Sequence, residues 1–415
     1  MRVVAPLWVA CAVVLLLRRP DLIATPQLYA EDGLIFFRDA ILSGLPSLLA
    51  PYAGYHHLIP RAIALIASPF PAAIQPAAYV AISVALAAAC CALLAPLLHG
   101  VIVDRGLRAF VAIGVAAAVP ADEIIGSVAS LQWYLHLPVL AASLVPLAAG
   151  ARVAARVAAV LVGATTPQGL IAAPIAAVLW WRRPARHDPW IATLYAGTAL
   201  VNIATAPHEL EHATPHLFEA LATVMAFRVG DALTLGKAAA ENLAVTGSAA
   251  GTALGLAMLA ALLLALAWRR GRAVAAVFVY VIVAPVALVL ATRSFDAVGF
   301  AGYAFFGADR YFVAPCAAVV VALAALAASI GRATLARAAA VAALCASAYA
   351  NFREPRVPSD DHWLAAAPAV DAWRDMRNAG IAAPRVSVYI PPARWPLVLP
   401  SCEPGGRGGP FPGCP

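Results

Sequence analysis

Two adjacent acids, Glu31 and Asp32 in the stretch YAEDGLIFF (residues 29–37), stand in a 415-residue chain of which 12% is charged. A carboxylate held between apolar walls at a membrane–water boundary has a raised pKa and can take a proton from a hydroxyl, the work of a general base. The same acids also suit a helix start, where a carboxylate caps free amides and meets the positive end of the dipole. Asp122 and Glu123 precede SLQWYLH (130–136), where Gln132 offers an amide and Trp133 and Tyr134 offer rings. Amides hydrogen-bond sugar hydroxyls and rings stack on sugar C–H faces, although Trp and Tyr also populate membrane interfaces without any ligand. In GADRYFVAP (307–315), the Arg310 guanidinium suits a lipid phosphate. Its alternative is a snorkelling anchor paired to Asp309. HELEH (208–212), with His216 beyond it, has the spacing of a zinc-protease motif. Pro207 before it and Glu211 inside it oppose the regular, less charged helix that such a site needs.

The elements that must position these groups are membrane helices. The chain is 63% hydrophobic, far above the roughly 45–50% of soluble domains. Apolar runs near 3–17, 75–99, 109–121, 134–150, 190–206, 247–268, 273–291, 312–330 and 338–350 predict spans. Two shorter runs between 153 and 181, broken at TTPQG (165–169), predict short spans or a re-entrant hairpin, for about 11 crossings. The fold class expected is therefore an all-α, polytopic helical bundle. Arg18, Arg19 and Pro20 stand where a signal-peptide cleavage site would need small residues, so the first run reads as an uncleaved helix.

Net charge is +7, but the basic residues are divided among short loops, which argues against nucleic acid as a partner. Arg105/Arg108, Arg152/Arg156, Arg182/Arg183/Arg186, Arg269/Arg270/Arg272 and Arg332/Arg337 mark those loops as cytoplasmic. Of the 21 acids, Asp104 and Asp188 alone lie beside them. The opposite side receives the loops 18–74, 122–133, 207–246 and 292–311, and a tail from 351 to 415 beyond the 1–350 membrane domain. Residues 34–49 read as one amphipathic helix on the membrane surface. The tail reads as a helix (361–380), a strand (385–390) and a Pro/Gly-rich end. Cys11, Cys90, Cys91, Cys316 and Cys345 read as apolar fillers inside spans. Cys402 and Cys414 lie in the tail, where a disulfide would be worth roughly 3 kcal/mol in the chain-entropy model.

An acid pair after the first span, an amphipathic segment with Ser43-Gly44, and then PYAGYHHLIPR (51–61) resemble the first outer loop of GT-C class integral-membrane glycosyltransferases. The resemblance is one of layout over residues 1 to about 100. It implies a polyprenyl-phosphate sugar as donor and a glycan, lipid or protein as acceptor. Asp32 or Glu31 would be the base or stand beside a bound divalent metal; no cofactor is identified. Many relatives carry a Lys-Pro-Pro segment where this chain has His56, His57, Pro60 and Arg61, so donor-phosphate contacts are expected from Arg310 with Arg61 or His57. His56, Glu123, Gln132, Trp133 and Asp309 are expected to bind substrate. The Ala- and Arg-rich composition, with Lys237 the single lysine, suggests a bacterial inner-membrane protein with a cytoplasmic N-terminus and an extracytoplasmic C-terminus. An O-antigen polymerase or ligase, dependent on outer arginines but not on the acid pair, is the alternative enzyme. A flippase or transporter is the non-enzymatic one, opposed by charges that crowd loop ends rather than span interiors.

Overall fold

A computed structural model describes residues 4–119, 123–206, 213–295, 308–330, 334–352, 362–391 and 395–402. The fold is helical, and its strands form two small antiparallel hairpins. Four helical stretches among the described residues are long and apolar enough to cross a membrane: Gln75–Gly100, Ala249–Arg270, Arg272–Thr292 and Asp309–Ser329. Ala249–Arg270 and Arg272–Thr292 bury about a third or less of their apolar length inside the chain. Helices apolar all round but packed on one side need an apolar surrounding; Trp181, Trp268 and Leu264 are exposed on such faces. Shorter helices occupy most other expected spans, among them Val4–Arg18, Arg105–Ala118, Gln132–Leu144, Pro189–Thr205 and Thr334–Asn351.

The two acids beside the arginine-rich loops have a local purpose. Asp104 caps its helix by accepting from Leu107 N at 3.0 Å, and Asp188 accepts from Trp190 N at 3.1 Å while pairing with Arg156. The TTPQG break turns one helix, Ala149–Gly163, into another, Ala172–Arg182. Arg156 meets Asp188 and Gly163 abuts Tyr195, whereas Gly169 abuts Tyr195 and Trp180 bonds Thr193. The pair is thus an antiparallel hairpin whose tip points away from the arginine-rich end.

Residues 34–49 are not one amphipathic helix. They divide into a π-helical turn (Asp32–Phe37), a short helix (Arg38–Ser43) and a 3-10 turn (Leu45–Leu49), broken where Gly44 takes a positive φ. Leu45 and Leu49 stay exposed while Phe36, Phe37 and Ala40 are buried, so packing inward outweighed a single surface face.

The tail forms the helix Trp363–Asn378 and the hairpin Val386–Ile390/Trp395–Leu399, with Val386 opposite Leu399. Too short for a core of its own, it joins the main one through Trp363, Val370, Trp373, Ile390 and Leu397. It also grips the first loop. Asp371 accepts from Ala72 N, Arg377 donates to the Ile41 and Leu42 carbonyls, and Ala30 N donates to Pro391 O at 2.7 Å. Cys402 is disulfide-bonded; Cys414, its expected partner, lies outside the described residues. Cys11, Cys90, Cys91 and Cys316 are buried, but Cys345 is exposed on its helix rather than packed as a filler.

Candidate functional site

One cavity of about 550 Å³ opens at the end of the bundle remote from the arginine-rich loops, a size within the usual range of small-molecule sites. Its walls come from distant parts of the chain. The helix starting at Gln132 gives Gln132 and Trp133, the hairpin tip gives Pro167, Gln168 and Leu170, and the end of Arg272–Thr292 leads into Arg293. Arg310 and Tyr311 close the far side, and Glu31 with Phe36 the near one. The remaining wall is a two-residue turn. Ala53 and Gly54, both at positive φ, join Pro51–Tyr52 to Tyr55–His56 as the twist of a tight hairpin requires. Tyr52 and Tyr55 thereby face the cavity beside His57.

The acid pair separates. Glu31 lines the cavity, with the Tyr52 hydroxyl 3.5 Å from its Oε1. Asp32 does not line it and is 2% exposed. Its carboxylate accepts from Ser127 Oγ (3.3 Å), Val128 N (3.2 Å) and Ala129 N (2.7 Å), fastening the turn that leads into Gln132. Burial pushes the Asp32 pKa up to about 7, against the amides of Ala129 and Val128, which lower it. With both oxygens engaged by that turn, Asp32 has no free edge for a substrate proton, and the expectation of a base at this position moves to Glu31.

The second acid–arginine pair separates likewise. Arg310 faces the cavity and is held from behind by Glu123, whose Oε2 lies 3.2 Å from its Nη1. Glu123 Oε1 also accepts from Ala308 N at 2.8 Å. Glu123, expected to bind substrate, is not among the residues that line the cavity and instead holds the Arg310 side chain. Asp309 points away from the cavity and binds Arg228 and, at 2.7 Å, Lys237 Nζ. Glu241 adds a further pair with Arg228 at 3.5 Å. Asp309 belongs to this buried charge cluster and is not among the cavity's lining residues.

Arg61 and His56 also leave the expected site. Arg61 is buried against the Phe36 ring and bonds Asp39 at 3.1 Å, so its charge is already partnered away from the cavity. His56 donates its backbone N–H to Asn202 and brings its ring to Thr205 Oγ1 at 3.2 Å. His57, the next residue, does line the cavity, stacked on Tyr55 with ring centroids 4.0 Å apart. Burial and the nearby Arg61 hold its pKa down to about 3, so it is a neutral wall and not a phosphate-binding cation. Burial and Glu31 push the Tyr52 phenol up to about 12, which keeps it a hydrogen-bond donor.

Gln132 and Trp133, expected to bind substrate, line the cavity. Tyr52, Tyr55, Gln168 and Arg293 join them without having been singled out. Arg293 follows the last turn of a span, and its guanidinium makes no hydrogen bond or ion pair among the described residues. A lone arginine at the arginine-poor end of a span was the available signal. Ala-Gly between two tyrosines was the signal for the hairpin. No group of three or more His, Cys, Asp or Glu side chains suited to a metal ion occurs among the described residues. Asp122 and HELEH lie outside the described residues.

Among the described residues the cavity therefore sets one carboxylate, Glu31, against two guanidiniums, Arg293 and Arg310, between aromatic and amide walls. Comparison with family models, curated proteins and solved structures finds no match to this chain.

Proposed function

We propose that this protein is a GT-C-type glycosyltransferase that moves a sugar from a polyprenyl-phosphate carrier to a hydroxyl of a glycan, lipid or protein. The observation carrying this reading is that Glu31, Arg293 and Arg310 line one cavity. In a single inverting displacement, the acceptor oxygen bonds to the anomeric carbon as the bond from that carbon to the phosphate oxygen breaks. The hydroxyl proton passes to Glu31, and the electron pair leaves with the phosphate, whose added charge Arg293 and Arg310 receive. A cation already held in place, as Arg310 is by Glu123, stabilises such a charge with little reorganisation. Tyr52 keeps Glu31 in place, and Glu123 aims Arg310.

On this reading the cavity is extracytoplasmic and the arginine-rich loops are cytoplasmic, in a bacterial inner membrane. Counting the 149–182 hairpin as two crossings with nine further helices gives eleven, with the N-terminus inside and the tail outside.

The test is sugar transfer from a polyprenyl-phosphate donor by purified variants. Glu31→Gln should lower turnover about 10²–10⁴-fold with donor binding retained, and Arg293→Ala and Arg310→Ala should each weaken donor binding. Full turnover in Glu31→Gln with loss in both arginine variants would instead favour a polymerase or ligase. Full turnover in all three would place the transfer chemistry away from these residues, and no transfer by the wild type would leave no transferase reading standing.

A further inference from the structure

Four side chains of the cavity wall carry buried polar atoms without a partner: His57 Nδ1, Gln132 Oε1, Trp133 Nε1 and Gln168 Oε1. Their residues are all more than nine-tenths buried. A buried polar group left unpaired is costly to the fold, and a cluster of them at one cavity marks atoms waiting for a ligand. The orientation of Gln132 follows from its neighbours. Its Nε2 donates to Tyr55 Oη at 3.0 Å and to Ala129 O at 3.3 Å, and a carbonyl can only accept, so Oε1 is the end left over. Gln168 makes no side-chain hydrogen bond among the described residues, although its place is fixed. Thr166 caps its backbone N–H at 3.3 Å, and a side chain at neighbouring Gly169 would collide with Tyr195.

The spare groups are two amide acceptors, an indole donor and an imidazole kept neutral by burial. Beside them stand flat rings, with Trp133 edge-on to Tyr311 at 5.1 Å and Tyr55 stacked on His57. Amide acceptors demand donors, which hydroxyls supply, and the rings demand a C–H face. A charged sugar is poorly served. Glu31 is the one carboxylate lining the cavity among the described residues, and it stands near the cations that take the phosphate.

We infer that Gln168 and Gln132, with Trp133 and His57, form a subsite that reads the free hydroxyls of a neutral pyranose, and that Gln168 determines the sugar's specificity. This rests on the transferase reading for why a sugar is present, but the subsite can be probed without transfer. Wild-type protein in lipid nanodiscs is titrated with methyl pyranosides by saturation-transfer NMR: neutral hexosides and pentosides, their amino-deoxy counterparts and their uronates. Undecaprenyl phosphate binding is measured separately on the same samples. Neutral glycosides should bind in preference to both charged classes, and Gln168→Leu should weaken them about tenfold or more, the loss of one or two well-made hydrogen bonds. Undecaprenyl phosphate should bind Gln168→Leu as it binds wild type, which also shows that the variant is folded. Equal binding of the charged sugars, no glycoside binding, or unchanged glycoside binding in Gln168→Leu would overturn the inference. Loss of undecaprenyl phosphate binding in wild type, with glycoside binding intact, would overturn the carrier and leave the sugar subsite in place.

Discussion

The cavity and the buried cluster around Asp309 lie one residue apart in sequence and handle charge in opposite ways. In the cluster, Asp309 faces Arg228 and Lys237, and Glu241 faces Arg228, so ionic partners come from within the chain. In the cavity, Arg293 has no such partner among the described residues, and the amide of Gln168 is equally unengaged. Charges that satisfy one another hold a fold together, whereas charges left open are available to a ligand. Arg310 stands between the two cases, paired to Glu123 while facing the cavity, and among the acids the boundary runs between Asp32 and Glu31.

Breaking the cluster should have the largest effect on folding. Asp309→Ala leaves Arg228 and Lys237 buried without their shared carboxylate, a loss of about 3–5 kcal/mol for a disrupted buried pair. Thermal unfolding of the purified protein should shift accordingly, and an unshifted transition would show that the cluster is not structural.

A smaller effect sharpens the division within the acid pair. Asp32→Asn turns an amide N–H toward one of the backbone donors that the carboxylate now accepts from, costing about 1–3 kcal/mol. Its stability should fall while the protein that remains folded keeps the proposed sugar-transfer turnover, and Glu31→Gln should keep its stability and lose turnover. Two variants that lose turnover equally at unchanged stability would erase the distinction.

The effect that is smallest at neutral pH, where it vanishes, and grows only on acidification concerns His57. Its folded pKa of about 3 lies below the ordinary 6.5, so between those values the unfolded chain binds a proton that the folded one refuses. The stability is fully present above pH 6.5 and declines as pH falls toward 3, by up to about 1.4 kcal/mol per pH unit. His57→Phe should show a flatter loss of stability across that window than wild type, and parallel curves would place the acid sensitivity elsewhere.

Much of the helical framework was legible beforehand. Apolar runs located most of the expected spans to within about six residues, because a segment that must satisfy its own backbone in an apolar medium is constrained by length and hydropathy, but the helices Leu58–Ala67, Leu217–Met225 and Lys237–Val245 lie in stretches that read as loops. The tail's helix and first strand were also visible in their patterns. The single amphipathic helix over 34–49 failed because Gly44 permits a break that lets Phe36, Phe37 and Ala40 turn inward. The number of crossings is a different matter: four stretches meet the length and hydropathy of a span outright.

By itself, the sequence determined that the chain is apolar and rich in helical runs, that many of its arginines fall in short loops between those runs, and that a few acids, amides and rings fall in the longer connections. Tertiary structure alone decided which of them meet. Consecutive residues in a helical turn point about 100° apart, so neighbours can share the cavity, as Gln132 and Trp133 do, or part, as Glu31 and Asp32 and again Asp309 and Arg310 do. Which member faces it depends on partners about 90 to 185 residues away, Ala129 for Asp32 and Glu123 for Arg310, and no local pattern encodes those.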